Sequence, residues 1–137
     1  MWSRILVVFS LVLAPLATAQ ETTTPEDVIG RILDRGLLDG HDSKVIGGTG
    51  DAAAVIVTKL VGGRSLSPAQ IDLVLLVLNM SFTEVPPGAD AEPRTALFVL
   101  RELELVTNDA QLRGRIAQTR KYLQEEFSKS TKPLPQQ

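Results

Sequence analysis

The sequence predicts an all-α domain of about five helices, and three observations carry that prediction. Apolar residues recur at helical spacing in five stretches between residues 25 and 127. Helix-start signals at Thr24-Pro25, Ser67-Pro68 and Asn108 open three of them. The segments between are too rich in glycine and proline to hold a strand of any length. Two arrangements fit: a small right-handed array of helical pairs, or an orthogonal bundle of about five helices.

Each helix has its own local reason. In the first, Thr24 is the cap, Pro25 takes the first turn, and Val28, Ile29, Ile32 and Leu33 share one face until Gly36 stops it. Residues 36–50 hold five glycines and read as a connection. A nearly all-apolar second helix follows from about Asp51 to Val61, ended by Gly62-Gly63. Ser67-Pro68-Ala69-Gln70 forms a capping box, in which the serine oxygen and the glutamine side chain each satisfy the other's backbone N–H. The helix it opens is apolar around its circumference to about Phe82, so it is expected at the centre. Pro86-Pro87 makes the next loop rigid. A fourth helix is expected from about Asp90 to Val106, with Ala96, Val99, Leu100 and Leu103 as its main stripe. Leu97, Phe98 and Leu105 widen that stripe and suggest contact on more than one side. Asn108 to Gln111 reads as another capping box, opening a last helix that places Leu112, Ile116, Thr119, Leu123 and Phe127 on one face.

The N-terminus carries a different signal. Arg4, the apolar run Ile5–Leu13 and the small-residue site Ala17-Thr18-Ala19 make the three-part pattern of a cleavable export signal. The run is shorter than the roughly 20 residues a membrane span needs, and Pro15 interrupts it. The organisation expected is a signal over 1–19, a disordered lead-in over 20–24, one helical domain over 25–128 and a disordered tail over 129–137. Periplasmic or extracellular location follows, with no stable membrane anchor after cleavage. Losing Arg4 moves the net charge from −2 to −3, and the only tryptophan, Trp2, goes as well. That mild acidity argues against nucleic acid as a partner. There is no cysteine, so a core must hold the fold without disulfides.

The capping positions Ser67 and Asn108 lie 41 apart, and Asp51 and Asp90 lie 39 apart. A two-helix period of roughly 40 residues is that of HEAT and armadillo repeats. Gly50-Asp51-Ala52-Ala53-Ala54-Val55 running into Leu60 resembles the start of a bacterial HEAT-like repeat, and Asp90 to Leu103 resembles a second copy. The resemblance spans residues 50–127, with the first helix as the remnant of a third unit. It implies a non-enzymatic scaffold whose successive helices form a groove for a protein or peptide.

No catalytic, cofactor or metal set emerges. His41 is the sole histidine and cannot by itself build a triad or a zinc site. Gly47-Gly48-Thr49-Gly50 lacks the Gly-Lys-Ser/Thr ending of a phosphate loop. Asp72 and Asn79, seven apart on the apolar helix, are expected as a buried polar stripe, paired with Arg94, Arg101 or Lys59, unless the stripe faces solvent. Arg113, Arg115, Arg120 and Lys121 on the last helix form a candidate docking face for an acidic partner. The function expected is an exported, cofactor-free helical module that binds a protein or peptide. The alternatives are a small immunity or inhibitor-type protein, and a hydrolase or transferase working through carboxylates such as Asp72.

Overall fold

The computed structural model describes residues 23–131, so the expected export signal over 1–19 and the end of the expected tail lie outside the described residues. Within them the chain is all-helical, with no strand. The helices are α1 (Pro25–Arg35), α2 (Gly40–Ile46), α3 (Asp51–Val61), α4 (Pro68–Ser81), α5 (Arg94–Val106) and α6 (Ala110–Thr131), with a short 3₁₀ turn at Ala89–Ala91 before α5.

The capping chemistry read from the sequence sets α1 and α4. The Thr24 hydroxyl accepts from the Asp27 N–H while the Asp27 carboxylate accepts from the Thr24 N–H. Gly36 closes α1 in the left-handed conformation, at φ 70°. Ser67 and Gln70 make the reciprocal pair at α4, and the Gln70 amide reaches the Leu33 carbonyl near the end of α1. The same side chain therefore finishes one helix start and ties it to another helix.

Four features differ from expectation. The glycine-rich connection contains a helix, α2, which raises the count among the described residues to six. Asp39 caps it and Asp42 returns the bond, a pair hidden among the glycines, and Ile46 at its far end is fully buried. The fourth helix begins at Arg94, because Pro93 occupies its cap position and disfavours helical geometry in the residue before it. The last helix is capped by Asp109, whose carboxylate accepts from the Gln111 and Leu112 N–H groups, one residue later than the sequence pattern indicates. It also continues to Thr131 instead of ending near Phe127. Near that end Phe127 stacks obliquely on the buried Phe82, with ring centroids 5.1 Å apart, and Tyr122 meets its edge.

The helices pack in two sets. α1 lies against α3 and α3 against α5, while α2 lies against α4 and α4 against α6. Within each consecutive pair, α1–α2, α3–α4 and α5–α6, the two members also touch. The described residues thus form three successive helical pairs, with odd-numbered helices side by side in one layer and even-numbered helices in the other. Val28, Ile29 and Ile32 of α1, Val74, Val77 and Leu78 of α4, and Leu100, Ile116 and Leu123 beyond them are essentially inaccessible to water. They form one continuous core, the main source of stability in a chain without disulfides.

Two buried carboxylates tie neighbouring helices, one within a pair and one between pairs. Arg31 on α1 forms a two-pronged ion pair with Asp42 on α2, whose side chain is only 1% exposed. The guanidinium holds the Asp42 carboxyl below its usual range, against the opposing effect of burial, with the Asp39 N–H helping. Asp51, in the first turn of α3, caps α5: its two carboxylate oxygens accept from the Thr95 and Ala96 N–H groups at 2.8 Å each. α5 has no side-chain cap of its own, so the acid from the preceding pair satisfies it.

Candidate functional site

The layer of odd-numbered helices opens toward the C-terminal ends of α3 and α5. Between those ends lies a groove of about 760 Å³, within the range of binding clefts. Val57 and Val61 line it from α3, and Phe98, Val99 and Val106 from α5. Ile71 and Val74 of α4 and Leu112 of α6 also contribute. The apolar character of its lining is unusual for a surface open to water, since Phe98 is 58% exposed and Val106 71%. Leu105, at 76%, extends the apolar surface around α5.

Local sequence explains why the groove stays open. Gly62 ends α3 in the left-handed conformation at φ 54°, and Gly63 follows at φ 84°, so the chain turns away without a side chain to fill the space. At the other end of α3, Gly50 is locked: its N–H donates to the Ser81 carbonyl, and a Cβ placed on it would lie 2.1 Å from the Asp90 carbonyl oxygen. The two helix starts are therefore held in close contact at one end, with Asp51 bridging to α5, while the other ends face each other across the groove.

Three charged residues border it. Glu102 on α5 stands between Phe98 and Val106, one turn from each, and Asp109 lies at the start of α6. Arg64, on the α3 side, donates its Nε–H to the Val61 carbonyl. Glu102 takes part in no ion pair among the described residues.

The residues singled out from the sequence are placed elsewhere. Asp72 and Asn79 do share a stripe, but it faces solvent with Leu76 between them, correcting the expectation of burial. α4 is covered by α1, α2, α3 and α6, and this stripe is the part of its surface that they leave uncovered. The partner of Asp72 is neither Arg94, Arg101 nor Lys59. It is Arg115, whose Nε and Nη2 reach the two carboxylate oxygens at 3.1 Å each. Asn79 turns its amide back onto the Leu75 carbonyl.

Arg115 is thereby withdrawn from the proposed basic face of α6. Arg120 is withdrawn too, pairing with Glu104 of α5 through Nε at 3.1 Å. Arg113 and Lys121 remain exposed, two turns apart. His41 is exposed in the first turn of α2, its N–H donating to Asp39. Among the described residues no group of histidine and acidic side chains is arranged to hold a metal.

The groove residues were present in the sequence as an excess. Phe98, Leu105 and Val106 fall outside the arc of Ala96, Leu100 and Leu103 that the structure buries. The sequence suggests that Leu97, Phe98 and Leu105 make contact on a second side; Leu97 packs against the core, whereas Phe98 and Leu105 stay exposed among the described residues. No protein-family model matches the chain, and no curated protein or solved structure matches it either.

Proposed function

We propose that this chain is an exported, non-enzymatic helical module that binds a protein or peptide through the groove between α3 and α5. The observation that carries the reading is an open apolar cleft walled by Phe98 and Val106. Solvent-exposed aromatic and aliphatic side chains gathered in one concavity gain most from an apolar partner.

Kinship with HEAT-like repeats is part of the same proposal. Its support is the packing order, in which each pair stacks on the next with odd helices against odd and even against even. α2 supplies the partner that the first helix lacked in the sequence reading, so the array has the three units such folds usually need. Export rests on the three-part pattern over residues 1–19. No helix of the described residues is long and apolar enough to cross a membrane. The reading through catalytic carboxylates loses its leading residue, since Asp72 is engaged by Arg115 on an open surface.

The test is affinity capture from the native periplasm or secretome, using the wild-type protein, Val106→Asp and a control, Leu37→Asp. Leu37 is 54% exposed and lies outside the groove. A partner retained by the wild type and the control but lost by Val106→Asp supports the reading. Capture unchanged by Val106→Asp refutes it.

A further inference from the structure

The groove has a polarity, and with it a preferred class of ligand. The acids Glu102 and Asp109 lie on the α5–α6 side, and Arg64 lies on the α3 side. Asp109 spends its Oδ1 on the first turn of α6, and Arg64 is tethered to the Val61 carbonyl. Of the three, only the Glu102 carboxylate makes neither a side-chain hydrogen bond nor an ion pair among the described residues. It is exposed, outside every ion pair of the described residues, and set midway between two exposed apolar side chains on successive turns. A carboxylate at the middle of an apolar edge disfavours any ligand that buries it without a counter-charge.

The shape also limits the ligand. Both walls are helices, and the described residues contain no strand, so there is no sheet edge to which an extended peptide could add. Phe98, Glu102 and Val106 follow one another at four-residue spacing, about 6 Å apart along the axis. A helix with apolar residues on successive turns matches that spacing, in the groove-docking mode used by amphipathic helices.

We propose that the groove takes an amphipathic helix of a partner protein, with its apolar edge between α3 and α5 and a flanking lysine or arginine on Glu102. This rests on the groove being the binding site, as proposed above, and adds the partner's fold and charge.

Two synthetic helical peptides of about 16 residues, long enough to hold a helix once stapled, test it. Both carry leucine at helical spacing along one edge; one has lysine and the other glutamate on the flanks. In fluorescence anisotropy with the purified protein, the lysine peptide should bind about tenfold more tightly, a difference of about 1.4 kcal/mol. Glu102→Lys should reverse the preference, and Val106→Asp should remove binding of both.

Equal affinities, or a preference that Glu102→Lys leaves unchanged, overturn the charge assignment. No binding by either peptide overturns the helix assignment. Those results leave the binding function standing if the captured partner still depends on Val106, whereas capture independent of Val106 removes the function itself.

Discussion

Asp51→Ala is the most informative single change in this fold. Its carboxylate, on a residue only 8% exposed, closes two N–H groups of α5 at 2.8 Å each. A hydrogen bond to a charged group contributes about 1.5–3 kcal/mol, and loss of a helix cap to alanine costs about 0.5–2 kcal/mol. The two bonds share one carboxylate and water partly replaces it in the variant, so a loss of about 2–4 kcal/mol is expected. Asp51→Asn keeps one acceptor oxygen and should lose about half as much. In urea unfolding followed by circular dichroism, with a slope of about 1.5 kcal/mol/M, the alanine variant should shift the midpoint by about 2 M. A shift equivalent to less than about 0.5 kcal/mol, with the slope unchanged, would refute the assignment of Asp51 as the cap of α5. The consequence reaches the binding surface: α5 carries Phe98, Glu102 and Val106, so a frayed start lets one wall of the groove move.

Three further outcomes follow from the packing. Gly50→Ala should destabilise by about 3 kcal/mol or more, or prevent folding, because φ is +60° and the new Cβ meets the Asp90 carbonyl; the yield of folded protein and urea unfolding measure it. The Asp42 carboxyl sits below its ordinary value of 3.8, so its stabilising contribution is complete above that pH and is lost as pH falls through the lowered folded value. Urea midpoints of the wild type and Asp42→Asn should therefore differ by a constant amount at neutral pH and converge in strong acid. Divergence in strong acid would contradict the sign. Asp72→Ala should cost no more than about 1 kcal/mol, since its pair with Arg115 is about half exposed on both sides; a larger loss in thermal unfolding would mean that α4 and α6 depend on this bridge.

The legible parts of the fold were those in which neighbours in sequence are neighbours in space. The Thr24 cap and the Ser67–Gln70 capping box are local signals, and the structure forms both. Val28, Ile29, Ile32 and Leu33 are all buried because a 3.6-residue period fixes one face whatever covers it. The short helix α2 was hidden for a composition reason. Glycines dominate its surroundings, and a seven-residue helix is marginal until Arg31 grips Asp42 and Ile46 enters the core.

The stripe of Asp72 and Asn79 shows the limit from the other side. Periodicity placed the two residues on one face of α4, and that placement is observed. Whether the face is covered depends on the directions from which α1, α2, α3 and α6 approach, which no spacing within α4 contains. Choosing Arg115 over Arg94, Arg101 or Lys59 is likewise a matter of helix placement.

By itself, then, the sequence determined an all-helical fold, the starts of α1, α3 and α4, and the buried faces of α1 and α6, because caps and periodicity act over one or two turns. Tertiary structure decided the rest. It turned Asp51 from a first-turn acid of α3 into the cap of α5, drew Arg115 and Arg120 out of a basic face, and left Phe98, Leu105 and Val106 uncovered. Side chains at the same helical spacing become core or binding surface according to whether another helix arrives. That is set by long-range packing, and on one side of α5 no helix of the described residues arrives.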